Sequence, residues 1–205
     1  MRISANPLAI AALPFLAAGL LWGQAPVSAQ TAAKFHIEKI AEKRLPRLPA
    51  GPLYWRIETF PSLAKAQAAA GPTSLAAAAA GKAWLFTLGA QGGMTPGGSK
   101  IAEIGPVPPP PAAPEYLLRI NAAGGPPGAT TPVHTHPGSE TFYVLTGELR
   151  QRTPQGVMQV GAGQSVAGRV PGTAMQVSSS GAGDLSALVM FVVDATKPFS
   201  TPSAF

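Results

Sequence analysis

The sequence predicts an all-β domain of short strands arranged as a sandwich or barrel. Turn formers are dense, with 23 Gly and 23 Pro among 205 residues, just under the share of about 25–30% at which composition alone signals disorder. Hydrophobic residues make up 46% and charged residues only 12%, so a solvated, charge-driven disordered chain is excluded. Short apolar runs separated by turn residues fill the C-terminal half, which is the spacing of strands in a sandwich or barrel. There is no cysteine, which excludes disulfides, thiolate metal sites, cysteine catalysis and lipidation on a thiol.

Residues 1–29 read as a secretory signal peptide. Arg2 opens a short positive start, Pro7 to Trp22 is uncharged and mostly apolar, and Val27-Ser28-Ala29 offers a small-x-small cleavage site before Gln30. The run is broken by Pro14 and Gly19 and is shorter than the roughly 20 residues of a spanning helix. The expected mature protein is exported, to the periplasm or the medium, without a stable membrane span. The formal charge of +6 is concentrated near the N-terminus, where Lys34, Lys39, Lys43, Arg44 and Arg47 face Glu38 and Glu42. From Glu115 onward acids and bases balance, and no basic stripe with interleaved aromatics suggests nucleic acid as a partner.

Residues 30–50 read as an exposed basic arm, in which His36 is solvated. Leu53–Glu58 and Ala83–Leu88 are expected strands, with Tyr54, Trp55, Trp84 and Phe86 as core residues that extend a barrel sheet. Pro61 suits the first turn of a helix running to Ala70 and stopped by Gly71. Ser74 then suits the cap of a second short helix over Leu75–Ala80, ended by Gly81. Gly92 to Pro114 holds five Gly and seven Pro in 23 residues, which predicts a long connection rather than a central strand. The strands expected after it are Tyr116–Asn121, Thr141–Leu145, Glu148–Arg152, Val157–Val160, Met175–Ser178 and Leu185–Val193. The resulting division is a signal at 1–29, an arm at 30–50, an extension at 51–114 and a barrel at 115–205.

His134 and His136 stand two residues apart, so on a strand both imidazoles share a face. Glu140 keeps the even spacing, and Pro137-Gly138 lets the chain bend so that its carboxylate reaches the same point. Two imidazoles and a carboxylate make a facial set for a first-row transition metal, with positions left open for water or substrate. Phe142 and Val144 share the parity of Glu140 and should line the interior, while Tyr143 points away. Arg150 and Gln176 are further residues that can approach it.

Gly128, His134, His136, Glu140 and Gly147 stand at the fixed spacings of the first motif of the cupin superfamily, which the segment Gly128–Gly147 resembles. The resemblance covers roughly Arg119 to Val193. It implies a double-sheet jelly-roll barrel of six to eight strands, here with N-terminal strands and short helices added. It also implies a divalent metal in the barrel mouth and, as such barrels commonly pair, a homodimer. The second motif is altered. Its turn survives at Pro171-Gly172, but the position matching the family's histidine is Met175 when aligned on the glycine and Gln176 when aligned on the proline. With Met175 bound, the soft thioether favours copper; otherwise His134, His136 and Glu140 suit iron, manganese, nickel or zinc. The functions implied are a metal-dependent enzyme resembling quercetinase-type dioxygenases, with Glu140 able to shuttle a proton, or a non-catalytic periplasmic protein capturing a metal or small ligand. Storage, as in seed cupins, is a third reading, weakened because such proteins usually lose the ligands kept here.

Overall fold

The computed structural model describes residues 33–108, 110 and 112–205, which lie within one compact unit spanning Ala32–Phe205. The expected signal segment 1–29 lies outside the described residues. Among the described residues fourteen strands and one helix are formed, all strand ladders being antiparallel. The central sheet joins β1 (His36–Leu45), β6 (Tyr116–Gly125), β13 (Leu185–Asp194), β8 (Gly138–Thr146) and β11 (Ser165–Val166) in the order β1-β6-β13-β8-β11. A three-stranded sheet, β10 (Gly156–Gly161), β9 (Glu148–Thr153) and β12 (Gln176–Ser179), supplies the opposing wall. These strands match the all-β, double-sheet expectation for the C-terminal half; the two sheets form a sandwich.

A third layer covers the outer face of the central sheet. It consists of β3 (Ser74–Ala79), β4 (Lys82–Gly89), β2 (Tyr54–Phe60) and β5 (Ser99–Ile104) in the order β3-β4-β2-β5. Alternation sorts the central sheet's side chains between two cores. Leu118, Ile120, Leu188, Met190 and Val192 pack with Trp55, Ile57, Trp84 and Phe86 of the third layer. Leu117, Phe142, Val144, Val189, Phe191 and Val193 face the other way, toward Leu149, Val160 and Val177. Burying an aliphatic side chain such as Leu118 or Leu188 contributes about 1.5–3 kcal/mol, so both faces of the sheet hold it in place. The aromatic N-terminal strands are core strands as expected, but they stack on the barrel sheet instead of extending it.

Three local expectations are corrected. The helix after Pro61 is present as α1 (Leu63–Ala69), with the Ser62 hydroxyl accepting from the Lys65 N–H. Ser74–Ala79, however, is strand β3 and not a second helix. Ala80 and Gly81 take positive φ values of 49° and 70°, making a two-residue hairpin that pairs the alanines with β4. That pairing places Leu75 and Ala77 in the core and overrides the helical preference of alanine. The basic arm is not a free tail, since residues 36–45 form β1, the edge strand beside β6. Its charges remain solvated, as is usual on a sheet edge, and His36 is exposed as expected. The Gly/Pro-rich connection contains strand β5, which pairs with β2. Among the described residues no helix is long and apolar enough to cross a membrane.

Candidate metal centre

The central sheet presents one row of side chains to its inner face for every second residue. Glu140 on β8 stands opposite Phe191 on β13, Phe191 opposite Arg119 on β6, and Arg119 opposite Glu42 on β1. The neighbouring row runs Phe142, Val189, Asn121 and Lys39. The histidines reach this face from a separate segment. Residues 128–134 run antiparallel to β12, through the Thr131 N–H to Val177 O and a reciprocal pair between His134 and Met175. The chain then turns at Pro137 into β8. The surviving turn of the second motif supports that corner, because the Gly172 N–H donates to the His136 carbonyl.

His134, His136 and Glu140 come together, their ligand-capable atoms all lying within 4.8 Å of one another. The two imidazole rings meet edge-on with centroids 5.0 Å apart. His134 Nδ1 lies 2.8 Å from Pro132 O, and His136 Nδ1 lies 2.6 Å from Phe199 O. A carbonyl only accepts, so each Nδ1 carries the proton and each Nε2 keeps its lone pair. Such outer hydrogen bonds fix the tautomer a metal requires. Glu140 is buried, and its Oε2 has no hydrogen-bond partner. An orphaned buried carboxylate oxygen beside two imidazole lone pairs fits a divalent cation, and His134, His136 and Glu140 are the residues that would hold it.

Burial drives the electrostatics of the pair. It pushes the Glu140 carboxyl up to about 8. It pushes His136 down to about 4, against the pull of the Phe199 carbonyl and with added repulsion from His134 and Arg119. At neutral pH both groups of the metal-free protein are uncharged, so the 3.8 Å separation of His136 Nε2 and Glu140 Oε1 is not an ion pair. A carboxyl whose folded value lies above its unfolded 4.5 stabilises the fold at low pH and loses that contribution as pH rises to about 8. His136 acts oppositely between about 4 and 6.5. The two contributions cancel from about 4.5 to 6.5. From 6.5 to 8 only Glu140 titrates, and the metal-free protein should lose about 2 kcal/mol of stability. Urea unfolding in chelator at both ends of that interval tests this. The loss should vanish in Glu140→Gln.

The C-terminal segment straps the site. β14 (Thr201–Pro202) pairs with β7 (His134–Thr135), and the Ser203 N–H donates to Val133 O. Phe199 packs its ring 4.9 Å from those of both His136 and Phe191. Deleting residues 198–205 removes the acceptor for His136 Nδ1 together with the partner of β7. Metal affinity should fall by about 10–100-fold, as for other losses of outer-shell support. Chelator competition measures this, and an unchanged affinity would show that the strap does not orient the histidine.

Beside the triad is a cavity of about 650 Å³. Phe35, Phe142, Val189, Phe191 and Phe199 give it an apolar wall, while Lys39, Arg119 and Asn121 add polar groups. Phe142 lines it as expected from parity, Val144 is buried in the core behind it, and Tyr143 lies on the opposite face. Met175 sits opposite His134, but its sulfur is 3.5 Å from Gln151 Nε2 and it does not line the cavity. Gln176 points away and donates to Thr131 O, and Arg150 projects outward from β9. Arg119 and Asn121 were missed, although the strand Tyr116–Asn121 places both on one face by simple alternation. Phe199 carried no signal, since only folding back of the C-terminus brings it to His136. Gly138 has a different role from the bend expected of it. A Cβ there would lie 2.0 Å from Val192 O, so the glycine permits close approach of β8 to β13.

The Cupin domain family matches residues 125–191. No functionally curated protein is significantly similar to the chain. Among solved structures, a DMSP lyase from Ruegeria pomeroyi is 22% identical over 42% of this chain and 43% of its own, with a TM-score of 0.37. The chain thus spans less than half the length of that protein. A cupin-like protein from Thermotoga maritima is 16% identical over 42% of this chain and 65% of its own, with a TM-score of 0.39. An oxalate oxidase in complex with glycolate is 22% identical over 41% and 45%, with a TM-score of 0.35. Residues 125–191 therefore match the Cupin domain family, across the strands that carry the two-His, one-Glu group at the spacings of the first motif.

Proposed function

We propose that this protein is an exported metal-dependent cupin enzyme acting on a small organic substrate, with dioxygenase chemistry of the quercetinase type as the leading reaction class. The observation that carries the reading is the three-donor group opening onto a largely apolar cavity of about 650 Å³, a size suited to a small organic molecule. Three protein donors leave coordination positions free, which is the arrangement of catalytic rather than structural sites. A bound divalent transition metal would supply Lewis-acid polarisation and, if redox-active, one-electron chemistry with O₂. His134 and His136 would hold it through Nε2, each oriented by a backbone carbonyl. Glu140 would complete the donor set through one carboxylate oxygen, leaving the other to accept or return a substrate proton at the cavity wall. Phe142, Phe191 and Phe199 exclude water around that oxygen. Export rests on the signal-like pattern of residues 1–29.

Capture of copper without turnover requires the Met175 thioether at the site, and its contact with Gln151 speaks against that. The test is metal analysis of the protein purified from its export compartment, followed by oxygen-consumption screening. Near-stoichiometric iron, manganese or nickel should be retained in Met175→Leu and lost in His134→Ala. Copper that disappears in Met175→Leu would move the function to capture, and failure to take up any metal would end both readings.

A further inference from the structure

Charge and polarity around the cavity identify the kind of molecule it takes. Two cations and one carboxylate line it: Lys39, Arg119 and Glu140. Once Glu140 serves as a ligand, a divalent ion more than offsets its charge, leaving the lining positive. Outside the cavity Glu42 compensates the cations only in part. Lys39 Nζ donates to Glu42 Oε1 at 2.8 Å, and Arg119 Nε and Nη2 both donate to Glu42 Oε2 at 3.1 and 2.8 Å. One carboxylate therefore serves two cations. Arg119 Nη1 carries no hydrogen bond among the described residues, and the guanidinium is stacked 4.0 Å from the Phe199 ring that also touches His136. The stack restricts the rotamers of the guanidinium and leaves its Nη1 side as the donor edge not engaged by Glu42.

The second observation is Asn121. It lies one row from the triad, is 4% exposed, and its Oδ1 has no hydrogen-bond partner. Of its two cross-strand neighbours, Val189 offers no polar atom and Lys39 donates to Glu42 instead. A buried amide left unsatisfied in an apolar wall is costly unless a ligand completes it.

We propose that the cavity selects a small carboxylate with an apolar, ring-sized body: Arg119 binds the carboxylate and Asn121 hydrogen-bonds a hydroxyl on the body. Resting on the metal-dependent reading above, the assignment deepens it by naming the substrate class. Arg119 and Asn121 act as specificity-determining residues. Phe142, Val189 and Phe191 contact the body, whose size is bounded by the cavity.

The experiment is calorimetric titration of the full mature protein, both metal-free and metal-loaded, with phenylacetate, mandelate, phenylacetamide and phenylethanol as probes. Phenylacetate should bind with a Kd of about 1 mM or tighter, and its two neutral counterparts at least about tenfold more weakly. Mandelate, which adds a hydroxyl, should bind more tightly than phenylacetate. Arg119→Met should erase the preference for the anion, and Asn121→Leu the preference for the hydroxyl. Arg119→Lys, which keeps the charge and the stem, should retain part of the anion preference and guards against a folding defect in Arg119→Met. Equal binding of acid, amide and alcohol overturns the proposal, as does absence of any binding or an anion preference that survives Arg119→Met. Anion discrimination in protein that takes up no metal would instead end the metal-dependent reading while leaving the carboxylate site standing.

Discussion

His136→Ala is expected to lower metal affinity by more than about 100-fold, beyond the 10–100-fold that loss of outer-shell support costs. The imidazole is the most constrained of the three donors. Its Nδ1 is fixed on Phe199 O, its ring is packed against Phe191 and Phe199, and its backbone carbonyl is held by Gly172. Removing it leaves one imidazole and one carboxylate, too few to outcompete water for a divalent ion. Turnover of any metal-dependent substrate should disappear with the metal. Retained near-stoichiometric metal in His136→Ala, measured by mass spectrometry after dialysis, would refute the assignment of this side chain. His134→Ala should have a smaller effect on the apolar wall, since His134 is only half-buried, yet the same effect on metal.

The second large effect is expected at Gly138. Its surroundings leave no space for a side chain, as a Cβ would lie 2.0 Å from Val192 O and 2.5 Å from Val193 Cα. Both are backbone atoms of β13, the strand at the centre of the fold, and neither can swing aside as a side chain would. Gly138→Ala must therefore push β8 off β13 at the point where β8 begins, and Glu140 is two residues further on. Destabilisation should exceed about 3 kcal/mol, the upper end of ordinary overpacking, with metal binding lost alongside. Gly128→Ala is the internal comparison. Gly128 has a φ of 84° but open space around its Cβ position, so it should cost only about 1–2 kcal/mol of backbone strain. Chemical unfolding of both variants in chelator checks the ranking. Similar values for the two would show that β8 and β13 can separate without cost.

The contrast between these glycines shows what local pattern can convey. Gly128 and Gly147 have positive φ, 84° and 74°, and both stand at motif positions that fix turns. Gly138 is required by a strand distant in sequence, and nothing in its own neighbourhood announces that. The same division runs through the site. The spacing of His134, His136 and Glu140 sets three donors on one side of a bent segment, so the group was legible before any fold was known. Arg119 and Asn121 were legible as same-face neighbours on a strand, but their relation to the triad depends on β13 lying between β6 and β8.

By itself the sequence determined the β character, the longer strands from Tyr116 onward, α1 and the grouping of His134, His136 and Glu140, because each depends on side-chain periodicity or on spacing over a few residues. Tertiary structure decided the rest. The alanines of β3 lie in a sheet because β4 accepts them as an edge partner, and the basic residues of 36–45 became strand because β6 had an open edge. Met175 contacts Gln151 and does not line the cavity, and the C-terminus is held over the histidines by its pairing with β7 and by the His136 hydrogen bond to Phe199. In each case the deciding contact joins residues far apart in the chain, and its free energy exists only once the sheets have packed.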